Sequence, residues 1–229
     1  AAGADSVFST DEFSVLESQA PGKLLDVGCG AGQFLLRSQS RGFDVMGLDL
    51  DPKSVLFARD ELGLDVRLGS FEQLPADSRF DVVSALGVLE HISEPVEFLN
   101  SAKKHLADGG EILIGLPNAR SLNRIVSRLG RDDWDMFLEP GHLYSYDRET
   151  LQKLARRVGL EIHSWTTSTI AIRGKVPFFP ERFAGLEAGL QKSVERNPLW
   201  KQLYRRTLRG LDHFSLGDTL FASLREIRR

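Results

Sequence analysis

The chain has 229 residues, 41% of them hydrophobic and 27% charged, with a net charge of −3. That is enough for one sizeable core of ordinary globular make-up, with no global attraction to nucleic acid or to an anionic membrane. No apolar run approaches the ~20 residues that span a bilayer, and a single cysteine, Cys29, excludes an internal disulfide framework. Residues 1–5 carry neither a basic flank nor an apolar stretch of signal-peptide type, so a reducing, cytoplasmic setting is expected.

Residues 23–28 predict a first strand, in which Leu24, Leu25 and Val27 form a short apolar run ending in glycine. Residues 31–41 predict a helix with Phe34, Leu35 and Leu36 on its apolar side. A second strand over 43–49 ends in an acid, and Asp51-Pro52 then reads as an N-cap with proline in the first turn. The helix that follows carries Val55, Leu56, Ala58 and Leu62 and stops at Gly63. Residues 64–68 and 80–85 predict the third and fourth strands. Residues 95–106 predict a helix, and Asp108-Gly109-Gly110 a turn into a fifth strand over 111–116. Beyond it lie a helical stretch at 118–129, an irregular aromatic-rich segment at 130–142 and a helix at 148–158. A β-branched run over 160–172, a helical pair over 186–211 and a closing strand over 218–225 complete the pattern. Alternating strands and helices imply a doubly wound α/β fold, a mostly parallel sheet with helices on both faces. The continuous run Ile112-Leu113-Ile114 fits a strand buried on both sides.

Asp26-Val27-Gly28-Cys29-Gly30-Ala31-Gly32 follows a predicted strand and opens a predicted helix. Glycines there let the backbone turn tightly and approach a ligand, and a helix start offers unpaired N–H groups. Asp49, at the end of the second strand, suits the ribose hydroxyls of an adenosine-bearing cofactor. A dinucleotide turn would want its third glycine at position 33, which is Gln33; here that glycine is Gly32. The carboxylate of Asp26 would repel a pyrophosphate and suits a cationic amino-acid end. Cys29 is either a thiolate favoured at a helix start or, with no histidine or second cysteine near in sequence, a small residue packed inside the turn.

Leu25-Asp26-Val27-Gly28-Cys29-Gly30-Ala31-Gly32 resembles the first motif of the class I S-adenosylmethionine-dependent methyltransferases. The resemblance continues through Gly47-Leu48-Asp49, Phe80-Asp81-Val82-Val83, Leu89-Glu90-His91-Ile92, Leu106-Ala107-Asp108-Gly109-Gly110 and Gly141-His142-Leu143-Tyr144. It covers residues 23–162 and implies a seven-stranded sheet whose final strand is antiparallel. It implies S-adenosylmethionine as cofactor, with Asp26, Gly28, Cys29, Gly30 and Gly32 against its methionine and ribose parts. Asp49 would bind the ribose hydroxyls, Leu50 would flank the adenine, and Ala85 and Leu86 would lie beside the methionine. Where such enzymes often have an aspartate that reaches the adenine amino group, this chain has Ser70. Phe71 would then cover the adenine face and offer its backbone N–H. Residues 1–22 would form an N-terminal helical lid and residues 23–229 the methyltransferase domain, with a helical insert at about 175–213 before the last strand.

Methyl transfer from a sulfonium needs an aligned nucleophile, and a general base where that nucleophile is a hydroxyl or protonated amine. His91 is the leading candidate base, since ligands of open α/β sheets bind outside the carboxyl ends of the strands; the alternative is a loop-ordering role with Glu90 as partner. His142 is the second candidate. Trp134 and Tyr144 are candidate substrate contacts; Tyr144 and Tyr146 offer π faces or hydroxyls, or simply pin the helix that Asp147 caps. No cluster has metal-ligand spacing in the sequence, so no catalytic metal is expected. Leu199, Trp200, Leu203, Tyr204, Leu208 and Leu211 form a stripe suited to packing on the body or on a second copy, with a membrane-surface role as the alternative. The expected function is methyl transfer to a small-molecule acceptor of sugar, quinone-like, lipid or natural-product type, without nucleic acid or integral membrane association. The alternative is a non-catalytic S-adenosylmethionine-binding sensor or subunit.

Overall fold

The computed structural model describes residues 12–16, 22–122, 124, 141–169, 210 and 212–227. Five strands come first in the sheet order of the chain: β1 (Lys23–Val27), β2 (Asp44–Asp49), β3 (Val66–Leu68), β4 (Phe80–Leu86) and β5 (Leu106–Pro117). They pair in parallel, while β7 (Thr219–Glu226) is antiparallel both to β5 and to β6 (Leu160–Ser168). The spatial order is β3-β2-β1-β4-β5-β7-β6, so the expected seven-stranded sheet with an antiparallel final strand is present.

Side chains of neighbouring positions part to the two faces. Leu25, Val83, Ile112 and Ile114 enter one core, shared with Leu99 of α3 (Pro95–Lys104) and Leu151 and Leu154 of α4 (Arg148–Arg157). Leu24, Val82 and Leu113 enter the other, with Phe34 and Leu35 of α1 (Gln33–Ser40) and Val55 and Ala58 of α2 (Pro52–Asp60). Burial on both faces is why consecutive positions such as Leu24-Leu25, Val82-Val83 and Ile112-Leu113-Ile114 are all apolar. Asp51 caps α2, its carboxylate accepting from the N–H groups of Lys53 and Ser54 at 3.3 and 3.1 Å.

Most boundaries lie within a residue or two of the sequence expectation, and the start of β5 differs by more. β5 begins at Leu106, ahead of the predicted turn, because Leu106 pairs with Phe80 before a register irregularity carries the chain on to the Val82–Glu111 pair. Of the expected N-terminal lid, the described part is a short 3-10 turn, Glu12–Val15. It packs on the body: Phe13 stacks on Phe34 with centroids 4.9 Å apart, and Glu12 pairs with Arg37. Trp134, nearly all of the helical insert and most of the 118–129 stretch lie outside the described residues.

Candidate active site

β1 and β4 are adjacent and parallel, so their carboxyl ends open on the same edge of the sheet. Asp26 lies near the end of β1, 3% exposed, and its register partner Ser84 donates a hydrogen bond to Oδ1 at 2.7 Å. Burial pushes its carboxyl up to about 7 against the opposing Ser84 hydrogen bond, with the nearby Asp49 charge adding to the rise and Arg37 opposing it. The acid under the turn is thus poised between neutral and charged near neutral pH.

The turn itself is held by its own backbone. Gly28 and Cys29 both donate to the Leu48 carbonyl, at 2.8 and 3.1 Å, and Gly32 donates to Cys29 O at 3.0 Å. Gly30 donates to Asp49 Oδ2 at 2.7 Å, while Asp51 N–H donates to Oδ1 at 2.8 Å. The unpaired donors expected here are therefore engaged at these positions, and a pyrophosphate would have to compete for them. What the turn offers is bare surface. At Gly30, φ is +52° and an added Cβ would meet nothing within 4 Å among the described residues, whereas at Gly32 it would lie 2.5 Å from Leu64 Cδ1. Gly30 faces open space, the property of a cradle; Gly32 is a packing position between α1 and the segment after α2.

Asp49 is half-buried, and beside it the Leu50 side chain is 76% exposed. Two N–H groups leave carboxylate lone pairs of Asp49 for further donors. Cys29 is buried against Gly47, whose added Cβ would come 2.7 Å from the sulfur, and burial pushes its thiol up to about 12. It is a neutral, packed thiol rather than a nucleophile. Ser70 donates to Glu72, and the Phe71 ring turns into the core, stacked on His105 at 5.9 Å and edge-on to Phe98 at 5.4 Å. That ring cannot cover an adenine. Ala85 is likewise in the core, while Leu86 is half-buried.

After β4 the chain passes Val88 into a 3-10 turn, Leu89–His91. Val88 abuts the glycine turn: a Cβ on Gly28 would lie 2.5 Å from Val88 Cγ2. Glu90 is 2% exposed, and its carbonyl accepts from Leu143 and Tyr144 N–H at 2.8 and 3.2 Å. These bonds strap the 141–146 segment over the turn. His91 Nδ1 lies 3.0 Å from the Gly141 carbonyl. A carbonyl only accepts, so the proton sits on Nδ1 and Nε2 is the open nitrogen. The His142 ring stands edge-on to His91 with centroids 4.6 Å apart. Both sequence candidates for a base thus fall in one place. Tyr144 is 43% exposed, its hydroxyl donating to Ser93 O at 3.2 Å. Tyr146 is buried beneath, and burial first, then Tyr144 and Glu90, push its phenol up to about 12.

Two participants were missed in the sequence. Ser84 carries no local mark of its bond to Asp26, since the two are joined only by strand register. Glu90 was read as a loop-ordering partner of His91, and its meeting with His142 was not foreseen: its carboxylate, His91 and His142 place one ligand atom each within 4.8 Å of one another. The expectation of no metal rested on spacing along the chain; the fold assembles the group from two distant segments.

A doubly wound sheet with a bare glycine turn over a buried acid, and a histidine pair at the next strand end, defines the class of enzymes that bind an adenosine-bearing cofactor with a cationic end. A family model described as "Methyltransferase domain" matches residues 9–164. The chain belongs to this methyltransferase family, and its cofactor is S-adenosylmethionine. It is 29% identical over 165 residues to a ubiquinone biosynthesis O-methyltransferase of Cereibacter sphaeroides, covering 64% of this chain and 67% of that one. It is 32% identical over 142 residues to the protein of that name from a Caulobacter species, covering 54% and 56%. The chain thus spans from just over half to about two thirds of these relatives' length. A solved S-adenosylmethionine-dependent methyltransferase of Mesorhizobium loti shares the fold, with a TM-score of 0.59, 17% identity, and coverage of 94% of this chain and 95% of that one.

Proposed function

We propose that the protein methylates a hydroxyl oxygen of a small aromatic acceptor of the quinone-precursor kind. The observation that carries this is adjacency: the open glycine turn touches Val88, and two residues on the chain reaches Glu90, His91 and, through the strap, His142. Cofactor cradle and proton-handling groups thereby share one edge of the sheet. The two curated relatives, named for O-methylation in ubiquinone biosynthesis, support an oxygen acceptor.

When bound, S-adenosylmethionine supplies a methyl group on a sulfonium. In our assignment Asp26, ionised by that approach, takes the ammonium end, Gly28 and Gly30 give the surface against which the methionine and ribose lie, and Gly32 lets α1 pack close enough to hold that turn. Asp49 accepts from the ribose hydroxyls, the exposed Leu50 flanks the adenine, and Leu86 closes the methionine side. Ala85 and Cys29 support from within. Ser70 and Phe71 contribute by backbone alone, their side chains being engaged by Glu72 and by His105 and Phe98. His91 Nε2 and His142 face the acceptor and promote loss of its hydroxyl proton, and Tyr144 lends a partly exposed ring to the acceptor. The setting is cytoplasmic in this reading; among the described residues no helix is long and apolar enough to cross a membrane.

The test is calorimetry with S-adenosylmethionine followed by turnover on a panel of catechols and phenols. His91→Gln should bind the cofactor as wild type does and lose about 100-fold or more in turnover. Full turnover by the folded variant would remove the assignment of His91.

A further inference from the structure

We propose that Glu90, His91 and His142 form a binding site for one divalent transition-metal cation, which holds and acidifies the acceptor hydroxyl. The proposal rests on the reading of this edge as the acceptor end of the site and says how the cluster does its work. The three ligand atoms lie within 4.8 Å of one another. Metal–ligand bonds of about 2.1 Å put neighbouring ligands about 3.4 Å apart in a tetrahedral site, so closure takes a side-chain adjustment of an ångström or so. His91 is exposed and able to make it, while Glu90 is buried and fixed.

Three features of the cluster suit a cation better than a lone imidazole base. His91 commits Nδ1–H to a backbone carbonyl, the arrangement by which protein ligands fix the tautomer and aim Nε2 at a metal. The strap carrying His142 is bolted to the residue that supplies the carboxylate, through Leu143 and Tyr144 N–H on Glu90 O. The spacing of the ligands is therefore built into the fold rather than left to a mobile loop. Two imidazoles and one carboxylate also leave coordination positions open, as catalytic sites do, on the side where His91 meets solvent. That mixed nitrogen and oxygen set favours manganese, iron, cobalt or zinc over magnesium or calcium, which take all-oxygen shells.

A hydroxyl oxygen entering an open position would have its pKa depressed as metal-bound water does. Its proton passes to solvent, and the oxygen lone pair forms the new bond to the methyl carbon. The pair of the breaking carbon–sulfur bond stays on sulfur, which leaves as a neutral thioether. With the cation in place both imidazoles act as ligands, and the acceptor needs no separate base.

The full chain, stripped with a chelator and dialysed, is titrated with MnCl2 alone, free Mn2+ being read by its electron paramagnetic resonance signal. One saturable site per chain is expected, weakened at least 10-fold in His91→Asn and in His142→Asn. Both variants should keep wild-type S-adenosylmethionine affinity, which shows that they are folded. No saturable binding of Mn2+ or Zn2+ by the wild type, or binding that survives both substitutions, overturns the site. Turnover on a catechol should collapse in the stripped enzyme and return with Mn2+. Undiminished turnover in the stripped enzyme overturns the activating role while leaving the methyltransferase reading intact. Metal binding by a protein that methylates no hydroxyl acceptor separates the opposite way.

Discussion

Gly30 and Gly32, either side of Ala31 in one turn, make opposite predictions when each gains a methyl group. At Gly30 the added Cβ meets nothing within 4 Å among the described residues, so Gly30→Ala should carry mainly the left-handed backbone penalty, about 1–2 kcal/mol. The methyl enters the open side of the turn, and S-adenosylmethionine affinity should fall at least 10-fold by calorimetry. At Gly32 the Cβ meets Leu64 Cδ1 at 2.5 Å and Ala58 Cβ at 3.5 Å, so Gly32→Ala drives α1 off its neighbours. Its melting temperature should drop well below that of Gly30→Ala. Wild-type affinity in a folded Gly30→Ala protein would show that the turn faces something other than the cofactor. The turn and its acids were legible because their meaning is local: strand, glycines, helix and a distal carboxylate follow in order. The Phe71 ring was not legible, since a three-residue turn has no periodicity to say which side faces the core. Nor was the meeting of His91 with His142, which depends on how a remote strap crosses the sheet edge.

Elements show the same division between local and remote information. Short apolar runs located β1, β4 and β5, and the Asp51-Pro52 start of α2 came from cap chemistry. The early start of β5 was hidden by Asp108-Gly109-Gly110, which reads as a turn and sits in an irregular stretch of strand. That β7 enters between β5 and β6 is set by pairing between strands remote in sequence, to which hydropathy is blind. One buried ion pair marks the insertion. Glu111 is 1% exposed; its Oε1 accepts from Arg225 at 2.7 Å and its other oxygen from Ser223, both on β7. Arg225→Met removes a cation bonded to a buried carboxylate and should cost about 3–5 kcal/mol in urea denaturation. Adding Glu111→Leu should recover much of that loss, because two apolar groups need no partner. A single variant as stable as wild type would mean that the sheet edge relaxes enough to hydrate Glu111.

At the scale of the molecule, the proposed place of Asp26 under the cofactor would link fold stability to cofactor binding through one proton. Its carboxyl is raised from 3.8 to about 7 by burial first, with Asp49 adding to the rise and Ser84 and Arg37 opposing it. Below pH 3.8 both the folded and unfolded forms carry the proton, and the stabilising difference is fully present. As pH rises toward 7 the unfolded chain gives the proton up while the folded chain keeps it, so stability falls, by on the order of 4 kcal/mol across the window. Asp26→Asn has no such proton and should lose none of this. The gap between variant and wild type, read by urea denaturation at pH 5, 6, 7 and 8, should therefore widen in the variant's favour with rising pH. In the proposed assignment the cofactor would reverse the balance, because its ammonium end would stabilise the charged carboxylate. Wild-type affinity for S-adenosylmethionine should rise to a plateau above pH 7, with proton release seen as a buffer-dependent binding enthalpy near neutrality. Asp26→Asn should bind weakly and flatly with pH. A stability gap that does not move with pH would mean that Asp26 is hydrated in the free protein. In that case the acid under the turn stays charged throughout, and no proton couples folding to the cofactor.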